Sequence, residues 1–225
     1  MMTLYTAIGN YKLNTHGLPT VVAGDREYGM TTHELILWSS LAFRILTYRE
    51  LRAEFYQKEK DLRILGELGF DHYLNRLEMR GLIVSGQGYT GADALYALMG
   101  HLHVQAVPSG IMVKTITFLK LWLYRKLPIN KAALSFYSEK LEHMEKRVMA
   151  LIKHQTLSTA ELILCLENGK KTLKNSAELM DCLYADEDTD CDSVVTDGRI
   201  SESRYPVLTA VANLYLKQRV TFQIV

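Results

Sequence analysis

The sequence predicts a mainly helical chain built as two successive compact units, with short β-segments closing each. Three observations predict it. Apolar residues recur at helical spacing in several separate segments, and Thr31/Glu34, Thr47/Glu50 and Ser158/Glu161 place a hydroxyl three residues before a carboxylate, the pattern that caps a helix start. The order of elements in the first half, helix, capped helix, third helix, strand, then returns in the second half. At 225 residues the chain is long for one core and short for three. Apolar residues at 48% and charged residues at 23% exclude wholesale disorder.

Each element has its own signal. Thr20 to Tyr28 reads as two extended runs about a Gly24-Asp25 turn, a hairpin. From Thr31 the stripe Leu35, Trp38, Leu41, Ala42, Ile45 marks a first helix ending near Leu46. Thr47 starts a second, with Leu51, Phe55, Leu62 and Leu65 inward, breaking near Gly66. Phe70 to Arg80 is amphipathic, with Phe70, Tyr73, Leu74 and Leu77 inward, and Gly81 stops it. Leu82-Ile83-Val84 is a strand, Ser85-Gly86-Gln87-Gly88 a glycine turn, and Tyr89-Thr90 a second strand edge. A short helix over 92–102 precedes Pro108-Ser109-Gly110, taken as the break between units.

The second half follows with linking apolar helices over 111–127, a long amphipathic helix over 133–154, and a helix from Ser158 to Gly169. Ser201 or Ser203 caps another, with Pro206 in its first turn, and residues 219–225 finish as a strand. No residue-level repeat is evident from the letters alone.

The wording Tyr73-Leu74-Asn75-Arg76-Leu77-Glu78-Met79-Arg80-Gly81-Leu82-Ile83-Val84 resembles the junction between recognition helix and wing in bacterial winged helix-turn-helix transcription regulators. The resemblance spans about residues 30–91. It implies tandem winged helix-turn-helix-like domains, mainly α with small β-wings: residues 1–107 hold the hairpin and a winged helix, and residues 108–225 hold linker helices and a degenerate second copy with an acidic insertion over 170–198. It implies a regulator of transcription that binds double-stranded DNA as a homodimer, because paired reading helices reach an affinity that one lacks. Base edges fall to His72, Asn75, Arg76 and Arg80, since Asn pairs bidentately with adenine and Arg with guanine. Phosphate contacts fall to Tyr48, Arg49 and Arg52, and in the wing to Ser85, Gln87, Tyr89 and Thr90.

Charge sharpens the alternatives. The net charge is +1, yet residues 175–198 carry eight acids and no Lys or Arg, which leaves +9 on the rest. That asymmetry suits a polyanion partner, and equally an acidic loop that engages a protein. Residues 48–80 balance seven basic against seven acidic residues and the wing has no Lys or Arg, which is neutral for a duplex reader. A protein-interaction adaptor with the same fold, docking through the acidic loop 175–198, is therefore the alternative. On a merely solvated helix face Arg76 and Arg80 pair with Glu67 or Glu78.

Other chemistry finds little support. Asp186, Asp188, Asp190, Asp192 and Asp197 match the spacing of a calcium loop, but Cys191 stands where the turn needs Gly and Asp197 replaces the bidentate Glu. A mobile acidic loop without metal is the expectation. His101 and His103 are the only close histidine pair and complete no zinc or hydrolytic pattern, so neither enzyme activity nor a cofactor is expected. Three cysteines, no signal-like N-terminus and no uninterrupted apolar span point to the cytoplasm rather than to a membrane.

Overall fold

The computed structural model describes all residues except 17, 65, 67, 108–139, 187 and 225. Among the described residues are nine helices and three small three-stranded sheets. Residues Tyr5–Val84 form one compact unit, whereas Ser85–Ala106 group with Leu141–Val225 and Met1–Leu4 in the other. The sequence instead predicts a single boundary after residue 107. The linking helices expected over 111–127 and the first residues of the helix expected from 133 lie outside the described residues.

Strand β1 (Met2–Ala7), whose last three residues open the N-terminal unit, is followed by a meander of β2 (Asn10–Leu13), β3 (Pro19–Ala23) and β4 (Arg26–Gly29). The expected hairpin is β3–β4, with Ala23 opposite Arg26 across the two-residue Gly24-Asp25 turn and Gly24 at φ +58°. Strand β2 adds to its other side in the register Tyr11 to Val21. Helix α1 (Thr32–Leu41) starts on the Thr31/Glu34 capping box and buries Leu35, Ile36, Leu37, Trp38 and Leu41, so it is enclosed on nearly every side. The Trp38 indole donates to the Ile8 carbonyl at 3.0 Å, tying α1 to the end of β1.

Strand β5 (Leu46–Thr47) leads directly into α2 (Tyr48–Leu62), capped by Thr47 and Glu50. Only Leu51 and Phe55 of α2 are buried, so it lies on the surface with one inward stripe. It ends at Arg63, whose left-handed φ of 55° lets its amide reach the Glu59 and Lys60 carbonyls. Helix α3 (Phe70–Met79) then leads into β6 (Ile83–Gly88), and the sheet order is β5-β1-β6.

The expected wing is absent: β6 runs unbroken through Gly86 and Gly88. These glycines serve close packing. A Cβ on Gly86 would sit 2.1 Å from the Leu98 amide nitrogen, and one on Gly88 2.2 Å from that of Ala94. Both nitrogens belong to α4 (Gly91–Met99), whose N-cap Thr90 accepts from the Asp93 amide. Spacing of two places the two glycines on one face of a strand, and that face meets helix backbone.

In the C-terminal unit, α4 leads to β7 (His103–Ala106), then α5 (His143–Leu151), β8 (Leu157–Ser158), α6 (Thr159–Glu167), α7 (Ser176–Leu183), α8 (Cys191–Ile200), α9 (Arg204–Leu216) and β9 (Val220–Gln223). Helix α5 begins only at His143, because Glu142 and Glu145 make a capping box there. The acidic insertion is not a loop. Asn175 caps α7 and Asp190 caps α8, so of the carboxylates that looked like ligands Asp190 and Asp192 sit at a helix start, where the helix dipole favours them, while Asp186 and Asp188 precede α8 and Asp197 lies in its last turn. In α9, Val207, Val211 and Leu214 face inward as expected, with Pro206 in the first turn.

Apart from the β2–β4 meander in the first half and α7 and α8 in the second, the two halves of the chain repeat one order, strand, helix, two-residue strand, capped helix, third helix, strand, and the sheet orders β5-β1-β6 and β8-β7-β9 correspond. The match reaches single residues. Glu34, Thr47 and Glu50 recur as Glu145, Ser158 and Glu161, each 111 positions later (145 − 34, 158 − 47, 161 − 50). Buried Phe70, Tyr73, Leu74 and Leu77 recur as buried Val207, Ala210, Val211 and Leu214, each 137 positions later (207 − 70, 214 − 77). Helices α7 and α8 occupy the insertion between the two offsets. After each third helix the chain turns through a left-handed residue, Gly81 at φ +66° and Gln218 at φ +60°. The following amide then bonds back to the leucine that ends the buried stripe, Leu82 to Leu77 at 2.9 Å and Arg219 to Leu214 at 2.8 Å.

Candidate nucleic-acid interface

Helix α3 stands on a dense aromatic base. Tyr73 stacks on His33 at 5.0 Å and 9°, and Phe70 meets Phe55 edge-on at 5.5 Å. Aromatic burial of this kind contributes about 0.5–1.5 kcal/mol per pair beyond area and fixes the helix against α1 and α2. With Phe70, Tyr73, Leu74 and Leu77 inward, the helix presents Asp71, His72, Asn75, Arg76 and Met79 to solvent. Of the four expected base-reading residues, His72, Asn75 and Arg76 share this exposed face.

At the start of α2, Arg49 and Arg52 are exposed, and Arg52 also lies 5.7 Å from the Tyr56 ring centroid. Tyr48 is different. It packs edge-on against Phe70 at 5.4 Å, and its hydroxyl donates to Asp71 Oδ1 at 2.6 Å. That bond to a carboxylate, followed by burial, raises the Tyr48 pKa and keeps its proton on the bond. Tyr48 thereby ties the start of α2 to the start of α3, and its hydroxyl already has an acceptor.

Arg76 and Arg80 pair with a residue on another helix, Glu34 of α1, instead of Glu78; Glu67, the other expected partner, lies outside the described residues. Arg76 Nε forms an ion pair with Glu34 Oε1 at 3.0 Å and Arg80 Nη1 donates to the same oxygen at 2.9 Å, while Oε2 accepts from the Thr31 amide at 2.7 Å. The carboxylate is 1% exposed, a site where a charge is costly unless paired and bonded. Arg80 is further held by the Gly29 carbonyl at 2.7 Å and by the Tyr28 ring at 5.3 Å, and so braces the end of α3. The sequence announced Glu34 only as a helix cap. Its second role was hidden, because nothing in residue spacing brings position 34 to positions 76 and 80.

Gln87 and Tyr89 do not form a wing. Gln87 is an exposed residue of β6, Tyr89 is exposed just after it, and both belong to the residues grouped in the C-terminal unit. Ser85 is likewise in β6, and Thr90 is engaged as the α4 cap. In α9, the counterpart of α3, Arg204 bonds the Arg199 carbonyl at 2.9 Å and lies 3.5 Å from Asp93, and Lys217 meets Glu145 at 2.8 Å.

Among the described residues, no group of three or more His, Cys, Asp or Glu side chains is arranged to hold a metal ion, and no helix is long and apolar enough to cross a membrane. Compared with protein-family models, curated proteins and solved structures, the chain matches none.

Proposed function

We propose that the chain is a DNA-binding transcription regulator that reads duplex DNA with the exposed face of α3, the two units being tandem helix-turn-helix-like domains without the expected wing. The observation that carries this reading is the face itself: His72, Asn75 and Arg76 side by side on a short helix braced from behind, with Arg49 and Arg52 exposed on the neighbouring helix. Asn and Arg offer the donor pairs that adenine and guanine edges accept in the major groove, and the two α2 arginines supply phosphate contacts. Arg80 and Tyr48 hold the helix in place instead of touching DNA. A homodimer in the cytoplasm completes the reading, with two α3 helices about 34 Å apart on successive major-groove faces.

A second reading has its own support. The engagement of Arg80 and Tyr48, the lack of any Lys or Arg from Ser85 to Thr90, and exposed Met79 on α3 suit an adaptor that docks a protein. Selection from a random duplex pool separates them. A regulator enriches one sequence and loses affinity steeply as salt rises. An adaptor enriches none.

A further inference from the structure

The Glu34 carboxylate carries two arginines where the fold requires one cation. The repeat supplies the comparison. In the C-terminal unit the matching carboxylate, Glu145, is also 1% exposed, and of the two matching positions only one is basic: Lys217 stands where Arg80 stands, and Asn213 stands where Arg76 stands. A single cation at the end of the third helix therefore serves to balance this buried carboxylate. Arg80 has the fuller set of bonds, to Glu34, to the Gly29 carbonyl and over Tyr28, and is 23% exposed. Arg76 meets Glu34 only through Nε, its side chain is 49% exposed, and no described residue bonds its terminal nitrogens.

We infer that Arg76 is a buttressed base reader: the ion pair of its Nε with Glu34 at 3.0 Å anchors the guanidinium, and the Nη1/Nη2 edge offers two parallel donors to O6 and N7 of a guanine. The inference rests on the DNA-binding reading above and assigns Glu34 as the positioning residue. Guanine accepts both bonds in one plane, so a guanidinium held in orientation gains on it. Phosphate accepts from many directions, and a flexible ammonium serves there as well, which is why orientation favours the base.

The test is Arg76→Lys, which keeps the charge and loses the fork. Wild type and variant are titrated with the duplex selected by the wild-type chain, and with copies carrying 7-deazaguanine, which lacks N7, at one guanine at a time. Arg80→Lys is melted alongside as the structural control. The expected result is a melting temperature for Arg76→Lys equal to wild type and lower for Arg80→Lys, with a roughly ten- to hundred-fold loss of affinity for the selected duplex. One 7-deaza position weakens wild type and leaves Arg76→Lys indifferent. Unchanged affinity, a loss uniform over all duplexes with every 7-deaza position silent, or destabilisation of Arg76→Lys as large as that of Arg80→Lys each overturns the inference while the DNA reading stands. A wild-type chain that selects no duplex at low salt removes the DNA reading itself, and the inference with it.

Discussion

Replacing Gly86 with Ala tests directly whether residues 85–90 are packed strand or mobile wing. The added Cβ would lie 2.1 Å from the Leu98 nitrogen, 2.5 Å from its Cα and 2.7 Å from the Ala94 carbonyl oxygen. All three are backbone atoms of α4, so no side chain can swing aside. Reaching ordinary contact at 3.4 Å requires strand and helix to part by about 1.3 Å (3.4 − 2.1). Overpacking a filled site costs about 1–3 kcal/mol, and an obstacle made of backbone belongs at the upper end. At roughly 2–4 °C per kcal/mol for a chain of this size, the melting temperature falls by about 6–12 °C. Gly91→Ala is the control, since nothing lies within 4 Å of a Cβ there and the effect stays within about 0.5 kcal/mol. Thermal melts by circular dichroism, with urea midpoints as a check, read both variants. A Gly86→Ala chain that melts with its Gly91→Ala control would refute the packed strand and restore a wing turn.

Three further outcomes follow from the C-terminal unit. Lys217→Met leaves Glu145 buried beside an apolar side chain and lowers stability by about 2–3 kcal/mol, short of the 3–5 for a fully buried pair because Lys217 remains 22% exposed; adding Glu145→Gln recovers part of the loss in a denaturant series. Tyr96 donates to the Val195 carbonyl at 2.5 Å, and burial pushes its pKa from 10.0 up to about 12. Between those values the unfolded chain has lost a proton that the folded chain keeps, so stability falls as pH rises from 10 towards 12, and Tyr96→Phe shows a shallower fall in denaturation at stepped pH. Burial first, then the neighbouring Cys182, pushes the Cys165 thiol up to about 12, so a disulfide reagent at pH 8 labels exposed Cys191 first and reaches Cys165 only on unfolding.

Local chemistry was legible in the letters, and contacts across the fold were not. A capping box needs only a hydroxyl and a carboxylate three residues apart, so Thr31/Glu34, Thr47/Glu50 and Ser158/Glu161 were visible, as were the inward stripes of α3 and α9. The wing failed because glycine has two uses. Gly86 and Gly88 look like a turn in sequence, yet Thr90 with Asp93 marked a helix start immediately after them, and that helix is what the glycines admit. The acidic run was misread through its charge, though Asn175/Glu178 and Asp190/Ser193 carry cap spacing. The residue-level repeat was masked by substitution at its marker positions: Gln218 holds the left-handed φ that Gly81 holds, and Lys217 replaces Arg80. At the site, exposure of His72, Asn75 and Arg76 followed from helical period alone, whereas the partnership of Arg76 and Arg80 with Glu34 required the packing of α1 against α3.

Amide hydrogen exchange, followed with and without the selected duplex, puts the central claim to its most direct trial. Binding through α3 predicts slowed exchange over residues 47–52 and 69–80, lost again at high salt. Protection confined to other segments, with those two stretches exchanging as in the free chain, would contradict it.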